Sequence, residues 1–177
     1  GETVVDPSTP EALPILRIDE PTLQMTFQTN NSPFAGQDGK FVTSRQLEDR
    51  LKTELETDVS LRVDDTDEPG AWVVSGRGEL HLSILIETLR REGFELQVSR
   101  PEVIYRDIDG VMSEPFEEVQ IDTPEEYTGS VIDSLSQRKG EMQNMESTDN
   151  GQSRLTFIAP SRGLIGYSTE FMSMTRG

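Results

Sequence analysis

The stretch AWVVSGRGELHLSILIETLRREG, residues 71–93, decides the fold. It opens with residues typical of β-strands, and Gly76 and Gly78 on either side of Arg77 predict a sharp turn. The apolar residues that follow recur at helical spacing, and they are Leu82, Leu85, Ile86 and Leu89. Gly93 predicts the end of the helix. The stretch therefore predicts a strand, a glycine turn and an amphipathic helix.

A second copy of this layout occupies residues 154–177. Trp72 corresponds to Phe157 and Gly78 to Gly163, and both pairs are separated by the same distance along the chain. An internal repeat with a period of about 85 residues indicates two similar small domains rather than one large domain.

The first copy continues on both sides of the opening stretch. Leu23, Met25 and Phe27 alternate with polar residues and predict a first strand, while residues 43–57 predict a helix that begins with a Thr43–Gln46 capping box. Alternation over residues 59–63 predicts a second strand. The fourth strand is predicted from residue 94 onward with Pro101 near its middle, so that it belongs at a sheet edge or a bulge.

The resulting order, β-α-β-β-α-β, is the ferredoxin-like arrangement. The second half is predicted to repeat this order. Its predicted elements are a strand over 116–121, a helix over 128–140, a hairpin of 142–148 and 153–159 that turns at 149–151, and a helix over 163–176. The fold class is therefore α+β, with two tandem ferredoxin-like domains of which the second lacks its last strand. The boundaries are 1–20 for a lead-in, 21–106 for the first domain and 107–177 for the second. We expect the unpaired edge of the second sheet to be covered by chain beyond Gly177 or by another chain.

The composition narrows the classes of function. The 177 residues contain no cysteine, which excludes disulfides, thiolate catalysis and cysteine zinc sites, and no apolar run is long enough to span a membrane. The net charge is −17, and residues 107–127 contain eight Asp and Glu with no Lys or Arg. This acidic segment is consistent with a solvated face of a strand. It also fits a surface that is repelled by RNA while another side of the protein docks.

Five basic residues are candidate contacts to a phosphate backbone: Arg77, Arg138, Lys139, Arg154 and Arg162. Arg77 lies in the glycine turn, which lacks the residues of a P-loop and is better explained as a strand-to-helix turn. The other four are the basic cluster of the second half, and either helix-end electrostatics or RNA contact explains them. His81 has too few partners for a metal or catalytic site. We find no catalytic constellation and predict no metal site.

Several long motifs carry a resemblance. VVSGRGELHLSILIETLRREGFELQVSRPEVIYR at 73–106 closely resembles the third domain of elongation factor G-type translational GTPases, and EEYTGSVIDSLSQRKGEM at 125–142 resembles their C-terminal domain V. TNNSPFAGQDGKFVTSRQLEDRL at 29–51, LRREGFELQVSRPEVI at 89–104 and SRGLIGYSTEF at 161–171 are similar to the BipA (TypA) family of ribosome-associated GTPases. The resemblance covers essentially the whole chain.

The resemblance implies a function that also needs domains outside this chain. The whole protein is expected to bind GTP and Mg²⁺, to hydrolyse GTP in an upstream domain, and to act in ribosome assembly, translation and stress adaptation in the cytoplasm. The two domains of this chain are then expected to be a non-catalytic docking and relay part that contacts rRNA and ribosomal proteins. No cofactor and no membrane association are expected for them. Residues 1–20 are expected to be the tail of a preceding β-barrel domain.

Three alternatives compete with this interpretation. The first is a free-standing interaction module of two ferredoxin-like domains, and a P-loop encoded upstream would exclude it. A single-strand RNA binder of the RRM type would need exposed aromatic residues on the first and third strands, for which Phe27 and Trp72 are available, but the sequence has no RNP-type run and is acidic. The third is a small hydrolase on the same fold, but the sequence contains no convincing set of catalytic residues.

Overall fold

The computed structural model describes residues 3–14, 18–148 and 150–177, and it divides into two compact units. The first comprises residues up to 21 together with 25–100, and the second comprises 22–24 together with 101–177. Both combine a β-sheet with helices, so the chain is α+β as predicted. Residues 1, 2 and 15–17 of the predicted lead-in lie outside the described residues.

The segment of residues 23–98, which lies in the first unit except for Leu23 and Gln24, has the predicted β-α-β-β-α-β order. Its elements are β1 (Leu23–Thr29), α1 (Ser44–Thr57), β2 (Arg62–Asp65), β3 (Ala71–Gly76), α2 (Glu79–Glu92) and β4 (Leu96–Val98). The strands lie in the order β2-β3-β1-β4. The edge strand is shorter than predicted, because Pro101 separates β4 from a second short piece, β5 (Glu102–Val103), which pairs with Leu23 and Gln24. Proline cannot donate to the ladder, and the strand therefore breaks at it.

Both helices of this unit begin or end as their sequences indicate. Thr43 Oγ1 accepts a hydrogen bond from the Gln46 amide at 3.4 Å, and Gln46 Oε1 accepts one from the Thr43 amide at 3.2 Å. Gly93 ends α2 with a φ of 97°. The apolar faces of the helices meet the sheet in a core whose fully buried side chains include Phe27, Leu47, Leu51, Val74, Leu82 and Leu89.

One predicted strand boundary was wrong, whereas the chain does bend at Arg77 and Gly78 as predicted. The second strand begins at Arg62 rather than at 59, because Asp58 accepts hydrogen bonds from the amide and hydroxyl of Ser60 and holds that segment in a turn. Neither glycine around Arg77 has a positive φ in the left-handed region. Gly76 is needed for space instead, since a Cβ there would lie 2.9 Å from His81 Nδ1.

A β-ribbon opens the second unit, and sequence reasoning missed it. Its strands, β6 (Arg106–Ile108) and β7 (Val111–Ser113), pair with each other as a separate two-stranded sheet. The signal was present, because Asp109-Gly110 is a favoured two-residue hairpin turn and both residues have a positive φ, 53° and 81°.

The rest of the second unit follows the predicted order. Its elements are β8 (Phe116–Pro124), a 3-10 turn (Glu125–Tyr127), α3 (Thr128–Gln137), β9 (Glu141–Thr148), β10 (Gln152–Pro160), α4 (Ser161–Leu164) and α5 (Tyr167–Thr175). The three strands form one sheet in the order β8-β10-β9. The predicted strands and hairpin are confirmed, although Asp149 in the hairpin turn lies outside the described residues. Within the described part of the chain, β8 pairs with β10 alone.

The helix predicted over 163–176 is instead two helices. α4 ends at Leu164, Gly166 has a φ of 74°, and α5 begins at Tyr167. The carbonyl groups of Gly163 and Ile165 accept hydrogen bonds from the Arg138 side chain. The predicted continuous helix was therefore wrong, because a long-range partner takes carbonyl groups near the break. None of the described helices combines the length and apolar character needed to cross a bilayer.

The core of the second unit depends on a close approach between α3 and α4. Val131 and Leu135 of α3 pack with Leu155 and Phe157 of β10 and are fully buried. A Cβ added to Gly163 would lie only 2.4 Å from the carbonyl oxygen of Arg138. Glycine is therefore required at 163 by space rather than by backbone conformation.

We expect Gly163→Ala to lower the free energy of unfolding of the second unit by about 1–3 kcal/mol, because backbone must move to admit the methyl group. Gly129→Ala is the matched control. Gly129 lies in α3, where an added Cβ meets nothing within 4 Å, so alanine should stabilise by roughly 0.4–1 kcal/mol. Urea unfolding of both variants measures the difference, and equal stabilities would contradict the proposed close approach.

Candidate nucleic-acid interface

Arg138 follows the end of α3, and its side chain turns back into the unit. Its Nη1 donates to the carbonyl oxygens of Gly163 at 2.7 Å and Ile165 at 3.0 Å. Nη2 and Nε donate to Glu170 Oε2 at 2.5 and 3.2 Å, and the guanidinium carbon lies 5.3 Å from the ring centre of Tyr167. Arg138 therefore acts mainly as an internal connector between α3, the helix break and α5.

Lys139 has an unusual backbone for its residue type. The amide of Gly140 donates to the Leu135 carbonyl at 2.8 Å and that of Lys139 to the Ser136 carbonyl at 3.1 Å, which is the Schellman pattern of helix termination. The pattern places Lys139 at a φ of 69°, where glycine is usual. Its side chain is exposed, and no ion pair to its ammonium group occurs among the described residues.

Arg162 lies in α4 near the same end of the unit, because Gly163 contacts the backbone of Arg138. Its Nε donates to Glu114 Oε2 at 2.7 Å, and about half of the Arg162 side chain remains exposed. Such a partly exposed pair contributes little stability, on the order of 0–1 kcal/mol. Arg162 can therefore exchange Glu114 for a phosphate at modest cost.

Arg154 lies on the other side of the sheet. Its neighbours Ser153 and Leu155 on β10 are buried beneath the helices, so Arg154 points to the open face. There it forms two hydrogen bonds with Asp122, of 2.7 and 2.9 Å, and they lower the pKa of that carboxyl group below its usual value. Glu146 lies directly opposite Arg154 on β9. Arg154 therefore lies among carboxylates, apart from the other three basic residues.

Arg77 is exposed at the turn between β3 and α2 in the first unit. Its amide donates to His81 Nδ1 at 3.1 Å, and His81 Nε2 lies 2.5 Å from Asp58 Oδ2. Because Nδ1 accepts, the neutral ring carries its proton on Nε2 and donates it to Asp58. These contacts fix the turn that presents Arg77, and they explain His81 as a hydrogen-bonded residue rather than a ligand.

The five predicted residues thus differ in their positions and in their hydrogen-bond partners. Lys139 and Arg162 are the sequence neighbours of Arg138 and Gly163, which contact each other, while Arg154 lies on the acidic open face. The described residues contain no group of three or more His, Asp or Glu side chains suited to a metal ion.

A carboxylate clamp that sequence reasoning missed holds the loop between β1 and α1. Glu95 accepts hydrogen bonds from the amides of Gly36, Asp38 and Gly39 at 3.0–3.1 Å and from the side chain of Asn30 at 2.5 Å. These donors, Gly36 first, lower the pKa of Glu95 below its ordinary value of 4.5. No sequence signal marks this pairing, because Glu95 is far from the loop along the chain.

Two family models match the chain, one to each unit. Elongation Factor G domain III matches residues 41–100, and the elongation factor G C-terminus matches residues 111–177. Both matches agree with the ferredoxin-like topology described above.

Curated relatives match along all 177 residues. A protein of Bacillus subtilis (strain 168) named large ribosomal subunit assembly factor BipA is 68% identical. The chain is BipA-like along its whole length. Proteins of the same name from Synechocystis and from Salmonella typhimurium are each 56% identical over the same residues. The chain spans 29–30% of the length of these BipA relatives.

A solved structure supports the fold alone. A crystal structure of a Thermus thermophilus protein aligns with a TM-score of 0.52 and 16% identity, covering 93% of this chain and 40% of the other.

The clamp predicts a pH dependence. The folded-state pKa of Glu95 lies below 4.5, so the clamp stabilises the loop above about that pH, and its contribution is lost as the pH falls through the lowered value. We expect the amides of Gly36, Asp38 and Gly39 to exchange slowly at neutral pH and to lose this protection in acid. Glu95→Gln should abolish the pH dependence of the protection and speed exchange at neutral pH, because an amide offers one acceptor oxygen. Unchanged exchange in this variant would contradict the clamp.

Proposed function

We propose that this chain is the ribosome-docking and structural-relay part of a BipA-type translational GTPase, acting in large-subunit assembly, translation and stress adaptation. The observation that carries the proposal is the 68% identity along the whole chain with a protein named large ribosomal subunit assembly factor BipA. GTP and Mg²⁺ belong, in this proposal, to a domain outside these residues, and the protein works on cytoplasmic ribosomes.

Lys139 is our first candidate for a contact to rRNA. Lys139 has a positive φ, which lowers stability by roughly 1 kcal/mol relative to glycine at the same position. Backbone strain of this kind is often found at functional sites. The fixed termination of α3 holds its backbone, and the ammonium group extends into solvent. Lysine is a common phosphate-contacting residue.

Arg162 and Arg77 are the next candidates. Arg162 lies at the same end of the second unit as Lys139 and is only weakly engaged by Glu114. Arg77 extends from a turn whose backbone is tied to His81. Arg138 has a smaller proposed role because its guanidinium group is turned into the unit onto two carbonyl oxygens and Glu170, and Arg154 has one because it lies among carboxylates on the open face of the sheet.

We further propose that the outer edge of β8 pairs with one more strand in the full-length protein or its complexes. A groove of about 370 Å³ runs beside this edge, lined by apolar side chains that include Val119, Ile121, Leu164 and Phe171. An edge strand next to an apolar groove is suited to pairing. In the full-length protein, amides along both edges of β8 should exchange slowly, and rapid exchange at the outer edge would contradict this.

The rRNA contact is tested by removing the charge while keeping the backbone. Asparagine tolerates a positive φ, so Lys139→Asn in the full-length protein should leave the fold intact and weaken co-sedimentation with ribosomes, with a salt slope reduced by about one. Lys139→Gly should weaken binding similarly while raising the free energy of unfolding by roughly 1 kcal/mol.

Lys52→Gln is the matched control, because it removes one exposed lysine charge from α1, where Lys52 already pairs with Glu48. It should leave binding and its salt slope unchanged. Equal binding by Lys139→Asn and the unsubstituted protein over a range of salt concentrations would remove Lys139 from the interface.

A further inference from the structure

The sheet of the second unit has an open face, opposite to the face on which its helices pack. The register of the three strands decides which side chains share it, because residues directly opposite each other in an antiparallel pair point to the same side of the sheet. Thr156 and Ile158 of β10 lie on the open face, since Leu155, Phe157 and Ala159, which alternate with them, are buried on the helix side.

Four carboxylates of the two outer strands lie on this open face, and each is directly opposite a residue of β10. On β8 they are Glu118 and Asp122, and on β9 they are Glu141 and Glu146. The first of each pair lies beside Ile158, and the second lies beside Arg154. All four are exposed, and within the described residues of these three strands Arg154 is the only cation. The open face is therefore negatively charged.

Two of these carboxylates have no hydrogen-bond or ion-pair partner within the described part of the chain. Arg154 binds Asp122, and Glu146 accepts a hydrogen bond from a neighbouring amide side chain at 2.8 Å. Glu118 and Glu141 make no such contact with the residues that the structure describes. They lie on opposite sides of the central strand, so both are free to meet cations from another molecule.

The spacing of the carboxylates fits a single α-helix. Neighbouring strands lie about 4.8 Å apart, so the carboxylates of β8 and β9 border a strip roughly 10 Å wide, and an α-helix with its side chains is about 10–12 Å across. Glu118 and Asp122 are four strand residues or about 13 Å apart, which equals about nine residues of helix. Cations two turns apart on such a helix can reach both carboxylates on one side.

An apolar contact is available at one end of the strip. Ile158 is half-buried in its centre, and Phe116, which is 58% exposed, lies on the same face opposite Pro160. Apolar side chains bordered by carboxylates complement a helix that has an apolar stripe between basic residues.

We propose that the open face of the β8-β10-β9 sheet binds a basic amphipathic α-helix of a ribosomal protein. The apolar stripe of that helix covers Ile158 and Phe116, and its Lys or Arg side chains meet Glu118 and Glu141. The choice of a ribosomal protein rests on the proposed function, whereas the choice of a basic helix rests on the face itself.

The other possible occupants fit less well. The phosphates of RNA would be repelled by the carboxylates, and a second copy of this chain would bring the same acidic face against itself. The proposal thus divides the contacts of the chain by chemistry, with Lys139 binding RNA and the open face binding protein.

The test is photo-cross-linking in the full-length protein. Gln120 is exposed and lies opposite Thr156, hence on the open face. We replace Gln120 by p-benzoylphenylalanine, bind the protein to purified large ribosomal subunits, irradiate, and identify the product. The proposal expects a cross-link to a Lys- and Arg-rich helix of a ribosomal protein. The same amino acid at Gln137, which is exposed in α3, is the control and should not give that product.

Two double variants with equal changes in charge test the contact. Glu118→Gln with Glu141→Gln breaks no contact among the described residues and should lower the yield of the cross-link roughly three- to tenfold. Glu125→Gln with Glu126→Gln removes two exposed charges from the 3-10 turn before α3, outside the three strands, and should leave the yield unchanged.

The outcomes are distinct. A cross-link from position 120 to rRNA, to an acidic ribosomal protein, to the protein's own chain, or to nothing, in a protein that still co-sediments, would overturn the open-face proposal alone. Equal yields from the two double variants would do the same. Failure of the unsubstituted full-length protein to bind ribosomes would overturn the proposed function as well.

Discussion

The second unit depends on one guanidinium group. Arg138 is near Glu170 in space but far from it in sequence, and its side chain connects the end of α3 to the helix break and to α5. A planar guanidinium group has five N–H donors and makes four hydrogen bonds here, to two carbonyl oxygens and a carboxylate, whereas a lysine ammonium has only three donors on one atom. The helix break between α4 and α5 is held by this arrangement, since the carbonyl groups of Gly163 and Ile165 on either side of Leu164 accept from Arg138.

Two neighbouring basic residues at the end of α3, Arg138 and Lys139, have different surroundings. Arg138 and Lys139 are neighbours in sequence and look alike as a basic pair, yet the first is turned inward and the second outward. The geometry of the helix end causes the difference, because the left-handed residue that terminates α3 reverses the direction of the chain. Basic residues next to each other in a sequence are therefore not one patch until their acceptors are known.

The periodicity of the sequence predicted most of the fold, and long-range partners account for what it missed. The apolar spacing of Leu82 to Leu89 and the capping box at Thr43 are local signals that predicted individual elements, and the repeat of about 85 residues extended their order to the second half. The break at Gly166, the inward turn of Arg138 and the clamp at Glu95 depend on residues distant in sequence, so periodicity carries no trace of them. The β6–β7 ribbon is different, since its Asp-Gly turn was a local signal that was overlooked.

The Glu95 clamp has a consequence for the order of folding. Its carboxylate lies just before β4, while the amides it binds follow β1, so the loop cannot adopt its native form until these two strands have paired. Closing so long a segment of chain has an entropic cost, which is met when β1 and β4 pair rather than by the clamp itself. The loop is thus a late-forming element, and its resistance to proteases would report whether the edge of the first sheet is closed.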